Sequence, residues 1–202
     1  MTAFAPAANP APAASEARYG AVSIALHWII AGLIVIQVCL GWYMNEVLPD
    51  HTPAQAQIET LHISVGLTIL LLVLVRIGVR LTHAVPPLPA DMARWERLLA
   101  QATHIVFYVL MLALPLTGWA LVSVRPDAVH LWGLPWPKLP GLGFLMTPDH
   151  KAWRRELAHI HVYILIWLVV LNLALHVAGA LRHQFVGHSI LWRMAPLRFL
   201  KR

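Results

Sequence analysis

Four stretches of this 202-residue chain, at about 22–43, 60–81, 99–124 and 157–181, are long and apolar enough to cross a bilayer. Crossing the hydrocarbon takes about 20 consecutive apolar residues in helical form. Unpaired backbone amides are costly in lipid, so each stretch is predicted to be a helix. The fold class expected is all-α, a transmembrane four-helix bundle with the lipid bilayer as its first partner. A residue content that is 59% hydrophobic and 12% charged, with a mean hydropathy of +0.66, points the same way.

The segments between these stretches set the organisation. Residues 1–17 are rich in Ala and Pro without aliphatic periodicity, which predicts a disordered N-terminal tail; they lack the basic and apolar regions of a signal peptide. Residues 18–196 form the expected membrane domain, and 197–202 a basic tail. The first loop, 44–59, holds Glu46, Asp50 and Glu59 and no Lys or Arg. The second, about 76–98, holds Arg76, Arg80, Arg94 and Arg97, and the C-terminal region adds Arg182, Arg193, Arg198, Lys201 and Arg202. Cations concentrate on the cytoplasmic side of membrane proteins, so both termini of this multi-pass chain are expected there. Against this, the long third loop would carry Arg125, Lys138, Lys151, Arg154 and Arg155 outward, beside Asp127, Asp149 and Glu156. Its run at 131–144 reads as ordered and interfacial, with Trp132 and Trp136 as headgroup anchors. The net charge of +6 sits at the ends of apolar segments, which argues for topology and against a nucleic-acid partner.

Chemistry falls to histidine. The single cysteine, Cys39, excludes intrachain disulfides and thiolate clusters, while twelve histidines are present. His27, His62, His104, His159, His161 and His176 lie within or at the edges of the apolar stretches. One such residue is as readily a helix-to-helix hydrogen bond as a ligand, but matching depths favour ligands. His27, early in the first helix, and His176, late in the oppositely directed fourth, share one depth. His62 and His161, which begin the second and fourth helices, share the other. Along an uninterrupted helix His161 and His176 are about 22 Å and about 60° apart, so both can face the interior. His159 is the rival to His161, but its azimuth differs from that of His176 by about 100°. His51, His83, His130, His150, His183 and His188 fall in loops or tails, where solvation is the simpler reading.

Two imidazoles on one haem iron leave no position for oxygen and favour one-electron transfer. Without a CxxCH motif the haem expected is of the b type, and two pairs predict two haem b groups. His104 is left as a propionate partner or a cap of the bundle. Arg76 and Arg80 are read as positive-inside anchors that also suit a salt bridge to the cytoplasmic haem's propionates.

The segments SIALHW (23–28), IETLHISVGLTILLLVLVRIGVRL (58–81), PP (86–87), HIVFYVLMLALPLTGWAL (104–121), LHVAGALRHQF (175–185) and ILWRMAP (190–196) together resemble the bacterial cytochrome b561 family of di-haem inner-membrane proteins. The resemblance implies that His27 pairs with His176, and His62 with the histidine at the start of the fourth helix. Fourth-helix ligands in that family usually stand fourteen residues apart, whereas His161 and His176 stand fifteen apart. The family's tail typically reads HH where this chain has His183 followed by Gln184.

The chain is also similar to family members that oxidise superoxide at the periplasmic face and pass the electrons to membrane ubiquinone. That similarity implies superoxide, a small anion, as substrate and a quinone as acceptor. Lys151, Arg154 and Arg155 are the candidate catalytic residues, with Arg125 and Lys138 completing a basic outer surface; the plainer reading is a charged loop with acidic partners. Two other classes stay open: a cytochrome b relay subunit of a dehydrogenase or hydrogenase with no substrate site of its own, and a non-redox channel or transporter.

Overall fold

The computed structural model describes residues 18–88, 92–143, 151–185 and 191–195. Both the predicted N-terminal tail and the basic segment 197–202 lie outside those residues. Four helical rods run in alternating directions, and each is longer than its apolar stretch because polar turns extend it. The first rod is α1 (Ala21–Trp42), continued by a π turn (Tyr43–Val47). Next come α2 (Pro53–Thr82) and α3 (Arg94–Ser123). The last rod is α4 (Lys151–His159), a π turn (Ile160–Leu165) and α5 (Ile166–Phe185). Glu59 therefore sits in α2, Arg94 and Arg97 in α3, and Arg154 and Arg155 in α4, where loops were expected. A hairpin of β1 (Val129–Leu131) and β2 (Leu134–Trp136) crosses the end of the bundle between α3 and α4.

Local chemistry accounts for the boundaries. Thr52 caps α2 by accepting a hydrogen bond from the Gln55 amide at 3.3 Å, and Pro53 takes the first helical position, where no amide is needed. Gln55 itself donates to the Met44 carbonyl and the Asp50 carboxylate, tying the short α1–α2 connection together. Pro115 interrupts the hydrogen-bond ladder inside α3. In the hairpin, Trp132 and Gly133 both have positive φ, the type I′ geometry that matches strand twist. Trp132 is held in that uncommon conformation from both sides: its amide donates to Ser64 Oγ at 3.1 Å and its indole to Thr68 Oγ1 at 3.0 Å.

The core is thin. Ile30 of α1 packs with Val65, Ile69 and Val73 of α2, and Leu67 packs with Val122 and Val129 beneath the hairpin. Asn172 of α5 donates to the Thr103 carbonyl of α3 at 3.1 Å, a polar tie of the kind that joins helices in lipid. The most apolar stretches of the four rods have mean hydropathies of 2.2–2.3, yet only 11–39% of their residues are buried inside the chain. Helices apolar on all sides and open to their surroundings need hydrocarbon around them, so the protein is a multi-pass membrane protein.

The bundle has two distinct ends. At the terminal end the start of α1 meets residues 191–195, where Trp28 Nε1 donates to the Met194 carbonyl at 2.6 Å and Arg18 to the Ala195 carbonyl. At the opposite, hairpin end, Arg125 pairs with Glu59 at 2.5 Å.

Candidate metal centres

Each end of the bundle brings two imidazoles of the apolar spans close together. At the hairpin end the rings of His62 (α2) and His161 (the second π turn) have centroids 6.3 Å apart with planes at 83°. At the terminal end His27 (α1) and His176 (α5) are also 6.3 Å apart, with planes at 59°. Metal–imidazole bonds of about 2.0–2.1 Å, made from opposite sides of one ion, put the ring centres a little over 6 Å apart. Both pairs fit that separation. Among the described residues no three or more His, Cys, Asp or Glu side chains gather to hold an ion. Two imidazoles without further donors suit a haem, whose macrocycle supplies the other ligands, better than tetrahedral zinc.

The hairpin-end pair is shaped by its neighbours. Thr117 Oγ1 lies 2.9 Å from His161 Nδ1 and within 2.7–2.9 Å of the Ala113 and Leu114 carbonyls. The hydroxyl has one proton, given to a carbonyl, so its oxygen accepts from His161 Nδ1–H and leaves Nε2 as the free lone pair. His62 is placed differently: its Nδ1 is buried without a partner, while its backbone carbonyl accepts from Gln37 at 3.0 Å. Two glycines make room for the rings. A Cβ on Gly41 would come within 3.2 Å of His62 Cε1, and one on Gly118 within 3.0 Å of His161 Cε1. The substitution Gly118→Ala should therefore push His161 aside and weaken haem retention at this end about tenfold, leaving the terminal end intact. Transfer of haem to an apo-globin acceptor, followed spectroscopically, measures that difference.

His159 turns away from this pair and stacks on Tyr163, with centroids 5.3 Å apart. The π turn at Ile160–Leu165 bears on the fifteen-residue spacing. A π turn holds one residue more than an α turn, so fifteen residues that include it rotate the chain about as far as fourteen α-helical ones. The azimuth between His161 and His176 accordingly falls from the expected 60° to about 40°.

At the terminal end, His176 is clasped between the rings of His104 and Phe107, each 5.3 Å away and nearly perpendicular to it. His104 Nδ1 donates to the Ala100 carbonyl at 2.6 Å, which fixes its tautomer. Its ring is too close to His176 to have an ion between them and acts instead as a wall. Arg76 reaches across from α2, with Nη2 3.3 Å from His27 Nδ1 and Nη1 donating to the Ser23 carbonyl at 3.3 Å. Arg80, one turn on, has its guanidinium 5.8 Å from the centre of the Tyr108 ring. Arg76, Arg80, Tyr19, Ser23, Tyr108 and Met194 line a cleft that opens beside His27.

Arg154 and Arg155 lie on α4, about two helical turns before His161, and form no ion pair among the described residues. The side chain of Lys151 lies outside the described set. Thr117, Gly41, Gly118 and Phe107 escaped the sequence reading. Polar or small residues next to Pro115 within an apolar span were the available signal for two of them.

A family model described as prokaryotic cytochrome b561 matches residues 18–196. A protein of Yersinia pestis named probable superoxide oxidase CybB is 29% identical over 182 residues, covering 89% of this chain and 96% of its own length. Cytochrome b561 homolog 2 of Escherichia coli K12 is 27% identical, over 84% of this chain and 86% of its own. Cytochrome b562 of Cereibacter sphaeroides is 32% identical, over 85% and 90% respectively.

Proposed function

The chain belongs to the prokaryotic cytochrome b561 family, a family of membrane electron-transfer proteins with b-type haem, and on that footing we propose that it binds two haems and carries electrons from superoxide to ubiquinone. The observation that carries the two-haem reading is the pair of 6.3 Å imidazole contacts at opposite ends of one bundle. In this reading residues 18–196 act as one unit, with His62 and His161 holding the outer haem and His27 and His176 the inner one. The terminal end, where Arg76, Arg80, Arg182 and Arg193 collect, is the cytoplasmic one.

When bound by these histidine pairs, haem would supply reversible one-electron chemistry. The chain's residues supply the rest. Thr117 engages His161 Nδ1 and leaves its Nε2 free to bind iron, and Gly41 and Gly118 leave room for the two rings. His104 and Phe107 hold the plane of His176. Arg76 and Arg80 offer guanidinium groups to propionates beside His27. At the outer face, Lys151, Arg154 and Arg155 draw a small anion toward the hairpin end by charge. The overall reaction balances as two superoxide ions giving two O₂ and two electrons, which with two protons reduce one quinone to its quinol.

Mixing the oxidised protein with superoxide should reduce the haems, and a soluble quinone should then reoxidise them. In the double variant Arg154→Gln/Arg155→Gln the reduction rate should fall about tenfold at low ionic strength, and the difference should shrink as salt rises. Haems that stay oxidised in superoxide would instead favour a relay subunit with no substrate site of its own.

A further inference from the structure

Positive charge is spread unevenly between the two imidazole pairs. At the terminal end the Arg76 guanidinium lies 3.3 Å from His27 Nδ1 and donates to the Ser23 carbonyl at 3.3 Å, with Arg80 a turn away on the same helix. Iron held through His27 Nε2 would put a proton on Nδ1, so Arg76 then keeps its Ser23 bond and bears on the site by charge, not as a donor to the ring. Neither arginine forms an ion pair with a carboxylate among the described residues. At the hairpin end Arg154 and Arg155 stand about two helical turns from His161. Arg125 is paired with Glu59 at 2.5 Å, and Lys138 is turned onto the backbone carbonyls of Arg125 and Pro126, so that among the described residues no cation is in hydrogen-bond contact with the ring of His62 or His161. There the ring of His161 meets Thr117 and Gly118, and the ring of His62 faces Gly41.

We infer that Arg76 makes the His27–His176 site the stronger oxidant of the two, so that electrons run downhill from the hairpin end to the terminal end. The inference rests on the two-haem reading above. A ferric centre carries one more positive charge than a ferrous one, so a fixed cation beside an axial ligand disfavours the ferric state. The effect is larger in a weakly polarisable interior than in water. Arginine cannot shed its charge by deprotonation, so the bias is permanent. Haem propionates would offset part of it, but each haem brings the same propionates to both ends, and the difference between the ends is the protein's own charge. The exchange concerned is a single electron, with the outer site oxidised and the inner site reduced, and no bond is made or broken. Arg76 is in this sense a tuning residue, acting by its charge beside the site.

Potentiometric titration of the full-length protein, followed at the haem α-band, tests the inference. The component that survives in His62→Ala identifies the terminal-end site. In the wild type that component should have the higher potential, favouring it at least tenfold, equivalent to about 59 mV for one electron. Arg76→Gln should lower it by about the same amount and leave the other component unmoved, while Arg76→Lys, which keeps the charge, should preserve the order. A wild type with the terminal-end component lower, or an Arg76→Gln protein in which it does not move, would overturn the inference. Should Arg76→Gln lose that haem, Arg76→Lys decides: a component fallen to the level of its partner contradicts the assignment to charge. Fewer than two haems per chain in the wild type would bring down the two-haem reading as well, whereas two haems that titrate together or in the wrong order contradict Arg76 alone.

Discussion

Replacing His62 with Ala is expected to leave one b-type haem per chain, halving the α-band absorbance per protein, while the bundle stays folded. The ring of His62 contributes little to packing, because its Nδ1 has no partner and its neighbour is Gly41. The hold of α2 on the fold comes instead from Val65, Leu67, Ile69 and Val73, all buried. What the variant removes is one of the two residues proposed to hold the hairpin-end haem, and His161 alone would retain it weakly. His161→Ala should behave alike, whereas His159→Ala should retain both haems, since the His159 ring stacks on Tyr163. His27→Ala and His176→Ala should halve the band from the other side by emptying the terminal end. Pyridine haemochrome content per chain measures all five. A His62→Ala protein with two haems would contradict the outer pair, and a His159→Ala protein with one would transfer the ligand role to His159.

Shortening the fourth rod within its π turn is expected to give an abrupt contrast. Deleting Val162 alone should convert the π turn at Ile160–Leu165 into an α turn, so that His161 and His176 keep their relative facing. Such a protein should carry two haems. Deleting Val162 and Tyr163 together leaves no surplus residue to absorb the second loss. The His161 side then rotates by about 100° and moves by about 1.5 Å relative to α5, which breaks both the Thr117 contact and the approach to His62. Haem content should fall to one per chain, with the His27–His176 site spared. Equal loss in the single and double deletions would mean that the π turn plays no part in the spacing.

The four spans were readable because bilayer length is a strong constraint and charge marks the ends. Their true ends were not, since the turns at 53–60 and 94–98 are polar and still helical, the first capped by Thr52 and the second tied to the last rod by the Glu96–Arg182 ion pair. Depth alone brought His27 toward His176 and His62 toward His161, and in the structure those rings meet. Depth could not choose between His159 and His161, because that choice depends on how the helix winds, and a π turn has no pattern in composition. Thr117 was hidden for a related reason: its role comes from a contact between α3 and the last rod that spans 44 residues of sequence. Arg76 was legible as an end-of-helix cation, but not its position beside His27.

The central claim is that this bundle holds two bis-histidine haems, one at each end. A redox-titrated visible spectrum of the purified wild-type protein, with haem and protein quantified on the same sample, tests it most directly. A b-type α-band, two haems per chain and two one-electron components are expected. One haem per chain with a single component, or no haem absorption at all, would contradict it.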